Sequence, residues 1–467
     1  MKLKEVTINN FRCFEELTVS LHENLTVLTA LNGGGKTTIL DAIRIAIWPY
    51  VKGFDLGSQT GKAATIQIDD VRIKLVGQSM EPQLDSSIQA IGDWPELFNG
   101  NPTIQWLQYR DSIKPRTNTK YDSNSKDIPR IASKLQDKVR KDRSTEDNDE
   151  ISLPLAVYLG TGRLWYQGRH TSEVDDSDLD ISTHSRTWGY LNCLTATSSY
   201  KQFEKWYGWI FKSYRELQID ELEGKVSDDT VKNNFLNAIY VVQTAINCLT
   251  KEETGWRDLQ YRSSQNQQLV MEHDEHGYVP LSQLSDGLRN MVVMISDIAF
   301  RCYKLNPHFG KNAALMTTGI VMIDEVDMFL HPSWQQRVIS SLQGAFPSIQ
   351  FVVTTHSPQV LSTVPAECIR IIDNGNVYSA PSGTKGAESS RILKRIFGVD
   401  TRPQADENTQ LLQAYEKLVY ADEYGSDDAK EKRANLDYIF AGEEPKLTEL
   451  DLYIENRKWE IEIEKDQ

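Results

Sequence analysis

Two groups of residues in this chain could do phosphate chemistry, and they lie about 290 residues apart. The first is Asn32-Gly33-Gly34-Gly35-Lys36-Thr37-Thr38. Glycines let backbone N–H groups converge on phosphate oxygens, and the start of a helix adds about half a positive charge. In such a loop Lys36 is expected to reach the β- and γ-phosphates of a nucleotide. The Thr37 hydroxyl is expected to bind Mg²⁺, which prefers an octahedral oxygen shell. The second group is Asp324-Glu325, which closes the apolar run Gly319–Ile323. Asp324 is suited to hold Mg²⁺, directly or through water, and Glu325 to polarise an attacking water.

Two further motifs flank the acids. Leu284-Ser285-Asp286-Gly287 precedes the apolar helical pattern Leu288, Met291, Val292, Met294 and Ile295. It reads as a helix N-terminus capped by Ser285, and a helix N-terminus is also an anion site. Behind the acids, Ile349–Val353 leads into Thr354-Thr355-His356-Ser357. A histidine at a strand end beside the γ-phosphate can hydrogen-bond it and report its presence, so His356 is read with Glu325 as catalytic. Asp327 and His331 are placed at the edge of the site. Ala30 stands where glycine opens the usual loop, and it would be strained there if its φ were positive.

The elements that must position these residues are legible around them. Leu17–Leu21 alternates apolar and polar residues, and Leu25–Ala30 is rich in β-branched ones, so both read as strands. After Lys36 the period changes: Ile39, Leu40, Ile43 and Ile47 fall at helical spacing. Strand, glycine-rich turn and amphipathic helix in that order give the loop its mechanism. Gly319–Ile323 and Ile349–Val353 are continuous apolar runs of strand length, as in a buried parallel sheet. Acids at the end of such a strand lie where open α/β sheets bind ligands.

Composition bounds the rest. A chain of 467 residues with 39% apolar and 25% charged residues has room for two or three compact units. No apolar run approaches the roughly 20 residues that span a bilayer, so a cytoplasmic protein with no membrane role is expected. The five cysteines are scattered without metal-ligand spacing. A net charge of −15 argues against a general nucleic-acid coat.

Together the four motifs resemble those of the ABC-type P-loop ATPases. The resemblance implies ATP and Mg²⁺ as ligands and a head-to-tail homodimer, or a higher homo-oligomer, that sandwiches ATP, with Ser285 and Gly287 acting on the opposite subunit's nucleotide. Asn10-Phe11-Arg12-Cys13-Phe14 and Leu40-Asp41-Ala42-Ile43 resemble the branch that holds the structural-maintenance, recombination-repair and overcoming-lysogenization proteins, where the arginine matching Arg12 lies near the phosphates. Ala156–Trp165, Gly386–Leu393 and Phe397-Gly398-Val399 are similar to segments of the ATPase subunits (PtuA) of Septu and retron-associated anti-phage systems. That family works with a separate HNH nuclease, and DNA would be met through the complex. Residues 110–280 carry no sustained heptads, and no Toprim acid pattern follows His356, so no nuclease site is expected in this chain. A RecF-like or SMC-like repair ATPase, and a nucleotide-bound scaffold with little turnover, are the alternatives.

The expected architecture is an α/β ABC-type head with a mixed sheet and flanking helices, made from residues 1–110 and 281–380. An insertion over 111–280 begins as a polar linker and becomes mainly helical. Residues 381–467 form a helical tail. The apolar residues of 447–463 are more than a free tail needs, and they predict docking on another subunit or on the nuclease. Gln59, Gln67, Gln105 and Gln108 are equal candidates for the glutamine that links head to insertion in this class.

Overall fold

The computed structural model describes residues 1–58, 63–94, 103–115, 117–141, 151–164, 184–195, 200–225, 228–264 and 267–465. Sixteen strands occur among them: β1 (Lys2–Phe11), β2 (Phe14–Ser20), β3 (Leu25–Ala30), β4 (Ile73–Val76), β5 (Ser79–Pro82), β6 (Ser86–Asp93), β7 (Thr103–Arg110), β8 (Lys120–Tyr121), β9 (Leu155–Leu159), β10 (Arg257–Arg262), β11 (Gln268–His273), β12 (Gly277–Pro280), β13 (Gly319–Ile323), β14 (Ile349–Thr354), β15 (Ile369–Asp373) and β16 (Asn376–Ser379).

The four central apolar runs form the heart of a six-stranded sheet ordered β16-β15-β3-β14-β13-β9. All pairings are parallel except β15 with β16. Every residue of β3, β9, β13 and β14 is buried. That is the reason they read as unbroken apolar runs: helices and sheets cover both faces. Parallel pairing also points the C-terminal ends of β3, β9, β13 and β14 to one edge.

A second, antiparallel sheet is ordered β2-β1-β6-β7-β8. In β6 buried and half-buried residues alternate, the mark of one covered face. This sheet braces the helix Lys36–Lys52 that follows the phosphate loop, through a specific defect in that helix. Pro49 has no N–H, so the Ile45 carbonyl loses its helical partner. Gln108 Nε2 donates to that carbonyl at 2.7 Å, and Trp106 Nε1 donates to the next one, Ala46, at 2.9 Å. Gln108 is fully buried and committed to this repair.

The insertion is less purely helical than the sequence predicts. The polar stretch read as a linker contains the helix Ser123–Lys141, which buries Ile128, Ala132 and Leu135. β9 belongs to the core sheet. Helices Tyr200–Leu222 and Asp229–Thr254 follow, and then the small sheet β10-β11-β12 leads into the helix Asp286–Leu305. Phe203, Trp206, Tyr207 and Phe211 are buried with Phe300, as core aromatics. At the end of β11, His273 stacks on the exposed His276, which in turn stacks on Trp256.

The chain divides into two compact units, residues 1–392 and 393–467. The second has its own core, built by helices Glu407–Tyr420, Asp427–Phe440 and Pro445–Lys465 around Leu412, Tyr415, Val419, Leu436, Leu447 and Leu450. The expected tail is thus, from residue 393 onward, a small folded unit. No helix among the described residues is long and apolar enough to cross a membrane.

Candidate nucleotide site

The residues read from sequence as chemical meet at the C-terminal edge of the core sheet. β3 ends at Ala30 and the glycine loop carries the chain to Lys36. Ala30 is buried and has no positive φ, so the expected strain at this position is absent. Gly35 is the residue that must be glycine. Its φ is +89°, and a Cβ there would lie 2.3 Å from the Phe14 ring. The turn between β1 and β2 is therefore packed against the loop.

Asp324 is the hub. It leaves β13 almost fully buried, and its two carboxylate oxygens are used separately. Thr37 Oγ1 donates to Oδ2 at 2.9 Å, and Thr354 Oγ1 donates to Oδ1 at 2.6 Å. Loop, acid strand and histidine strand are thus joined by two hydroxyls on one carboxylate. Thr354 Oγ1 also accepts the Glu325 N–H at 2.7 Å. Glu325 itself takes a positive φ of 48°, a costly conformation for glutamate. Asp327 accepts from Thr355 Oγ1 at 2.5 Å, which pins the following loop to the end of β14.

Lys36 and His356 frame the acids. Lys36 Nζ donates to the Ala30 carbonyl at 3.3 Å. Burial lowers its pKa, against the opposing pull of Asp324, Glu325 and Asp327. His356 is half-buried, and desolvation, then the Lys36 charge, lower its pKa from the ordinary histidine value. Thr37 and Asp324 offer hard oxygen donors side by side, a set that suits Mg²⁺.

Ser285 and Gly287 stand at a different place in the same unit. Ser285 is the N-cap of the helix Asp286–Leu305, and its hydroxyl accepts the Leu288 N–H at 3.4 Å. Gly287 faces the loop behind the acids: a Cβ there would lie 2.6 Å from the Phe329 carbonyl oxygen. Its glycine is thus required inside the chain. Arg12, expected near the phosphates, has its Nε on Asp70 at 2.8 Å and Nη1 on Asp41 at 2.6 Å. Burial opposes its charge, but those two carboxylates outweigh it and raise its pKa. The guanidinium ties the β1–β2 turn to the loop helix. Asn32, Gly33 and Gly34 lie in the turn after β3, and Thr38 lies in the first turn of the helix Lys36–Lys52.

Sequence reasoning missed Arg163. It sits in the turn after β9, fully buried, with Nη1 donating to the Asp324 carbonyl at 2.6 Å and Nη2 to the Glu325 carbonyl at 2.7 Å. Burial pushes its pKa down to about 10. The available signal was the apolar run Leu155–Leu159, of strand length and followed at once by Gly160-Thr161-Gly162-Arg163. Of the four glutamines, Gln108 is spent on the loop helix. Gln67 donates to Thr65 and its N–H to Asp70, which places it beside the Arg12 cluster. Gln105 is exposed on β7, and Gln59 lies outside the described residues.

The chain is similar to the retron Ec83 probable ATPase of Escherichia coli, at 29% identity over the whole of this chain and 89% of that one. It is similar to the retron Vc95 probable ATPase of Vibrio cholerae serotype O1 biovar El Tor, at 26% identity over 90% of this chain and 84% of that one. The Septu protein PtuA of Bacillus thuringiensis matches at 18% identity over 85% of this chain and 84% of its own. The model of the AAA domain matches residues 5–268, more than half of the chain, a span that includes the phosphate loop and Arg163. The chain belongs to the AAA domain family.

Proposed function

We propose that this chain binds and hydrolyses ATP, and that it does so as one half of a head-to-tail pair that governs a separate HNH nuclease in an anti-phage complex. One observation carries the ATPase reading: Thr37 and Thr354 both donate to Asp324, so the phosphate loop and the strand-end acids form one bonded assembly. The similarity to retron-associated ATPases and to Septu PtuA supports the defence setting.

In this reading the loop amides and Lys36 hold the β- and γ-phosphates and draw charge toward the leaving side. Thr37 and Asp324 would hold the Mg²⁺ that accompanies ATP, which spreads charge over the phosphate oxygens. Glu325 orients the attacking water and accepts its proton. Neutral His356 hydrogen-bonds the γ-phosphate. Positioning and charge stabilisation are the bulk of phosphoryl-transfer catalysis, so the fixed carboxylate of Asp324 is its centre. Ser285 and the N-terminal turn of its helix supply N–H donors, and these would close on the partner's γ-phosphate.

The reading is tested by two substitutions in the full chain. Lys36→Ala is expected to weaken ATP binding by about a hundredfold, the loss of a charged contact worth about 3 kcal/mol. Glu325→Gln is expected to bind ATP normally, to release phosphate about a thousandfold more slowly and to accumulate as an ATP-bound dimer. Equal phosphate release by wild type and Glu325→Gln would overturn hydrolysis. Failure of the wild-type chain to co-purify with a co-expressed HNH protein in either nucleotide state would overturn the nuclease reading alone.

A further inference from the structure

Arg163 has a cost that the site just described does not explain. Its guanidinium is fully buried, and the hydrogen-bond acceptors around it are neutral: the carbonyls of Gly160, Asp324 and Glu325, and Asn290 Oδ1 at 2.9 Å from Nε. The charges of Asp324, Glu325 and Asp327 attract the guanidinium, but burial outweighs that pull, so the cation remains expensive and packing alone does not account for it. The rigid fork of donors offers something else, several acceptors fixed in one plane. Two of those acceptors are the backbone carbonyls of the metal-site aspartate and of the water-polarising glutamate.

The fourth acceptor lies on the helix Asp286–Leu305. Asn290 is fully buried little more than a turn inside that helix, and it faces both ways. Its Oδ1 takes the Arg163 bond, and its Nδ2 donates to the Met328 carbonyl at 3.0 Å. At the same place Gly287 lets the Phe329 carbonyl approach to where a Cβ would stand. Phe329 is half exposed, at a φ of 64° that is rare for an aromatic residue. The first turns of the helix, the loop 325–329 and Arg163 are therefore one hydrogen-bonded block.

We infer that Arg163 and Asn290 are positioning residues that make the placement of Glu325 depend on the N-terminus of this helix. When Ser285 engages the γ-phosphate of the ATP held by the opposite subunit, the block moves or settles as a unit. The glutamate of the subunit's own site is set at the same time. Each site would then turn over only when the other is filled. This inference rests on the head-to-tail reading above.

The test is phosphate release by the full chain as a function of ATP concentration, with ATP affinity and thermal melting measured alongside. Wild type is expected to show a Hill coefficient above one. Asn290→Ala is expected to lose about tenfold in kcat and to fall to a Hill coefficient of one, with ATP affinity within about threefold of wild type. Asn290→Asp is nearly isosteric: it keeps an acceptor for Arg163 Nε, now charged and paired with the guanidinium, and it replaces the donor to Met328 by an oxygen that cannot bond the carbonyl. It is expected to lose the cooperativity with a smaller loss of kcat, and it carries the test if the alanine variant does not fold. Arg163→Lys, with three donors for four acceptors, should behave as Asn290→Ala.

Unchanged kcat and Hill coefficient in both Asn290 variants would overturn the coupling. So would a parallel fall in melting temperature, ATP affinity and kcat, or failure of both variants to fold, since each marks a merely structural role. A wild type that releases phosphate no faster than Glu325→Gln would instead sink the ATPase reading itself.

Discussion

At the scale of single residues the site sets protonation states by burial more than by pairing. Desolvation and the neighbouring Lys36 charge hold His356 below the ordinary histidine value of 6.5, so its imidazole is neutral at pH 7 and above. The folded state then resists a proton that the unfolded chain accepts. Stability contributed by this residue is present above the unfolded value and is lost as pH falls from there through the lower folded value. His356→Gln keeps hydrogen bonding and removes the titration. The ratio of wild-type to His356→Gln ATPase rates should be constant from about pH 7 to 8.5 and change only below about 6.5. A ratio that varies across the upper range would contradict a neutral histidine. The same scale separates two kinds of glycine. Gly35 shapes the phosphate loop, as its sequence context says, whereas Gly287 makes room for a carbonyl from a strand-end loop some 40 residues away in sequence.

At the scale of elements, the site is held by repairs as much as by regular structure. Pro49 breaks the hydrogen-bond ladder of the loop helix, and Gln108 and Trp106 of β7 restore it from the neighbouring sheet. Gln108→Leu leaves the Ile45 carbonyl buried without its donor, which should cost about 1–3 kcal/mol. The measurement is the urea midpoint, with ATP affinity as control. Affinity should stay close to wild type, because the damage lies about two and a half turns from Lys36. A glutamine that instead served the nucleotide would reverse that pattern, with affinity lost and stability kept. Arg12 works in the same manner. Asp41 and Asp70 hold its guanidinium, so a turn, a helix and the short Ile68–Asp70 segment share one charge cluster. Arg12 and Gln108 were both visible in the sequence as residues of interest. Their roles were not, because the partners come from elements 29 to more than 60 residues away.

At the scale of the whole molecule, the question is which apolar residues are left over once each unit has folded. In residues 393–467 the core takes Leu447 and Leu450, which the sequence alone counted toward a docking surface. Leu452, Trp459 and Ile463 remain exposed, and their spacing of seven and four puts them on one face of the last helix. Deleting 445–467 would remove two buried leucines, each worth about 2–5 kcal/mol, and so would unfold the unit it was meant to probe. Replacing Leu452, Trp459 and Ile463 together by serine is the cleaner change. Thermal melting should stay within a few degrees, while solution mass or co-purification with the HNH protein falls. Unchanged mass and unchanged co-purification would rule out this face as the contact.

The sequence by itself determined the chemistry and the order of its parts. Glycine loop, serine-capped helix, strand-end acids and strand-end histidine are each local patterns, fixed by backbone geometry within a few residues, and each lies where its pattern placed it. The parallel sheet was legible for the same reason, since strands buried on both faces must be apolar throughout. Tertiary structure alone decided who holds the parts together. Nothing near Arg163 in the chain says that its guanidinium will reach the carbonyls of Asp324 and Glu325, because a backbone carbonyl looks alike in every sequence. Nor does anything near Asp324 say that Thr37 and Thr354 will divide its two oxygens. Those bonds span 30 to 287 residues, and they exist only because parallel pairing delivers four strand ends to one edge.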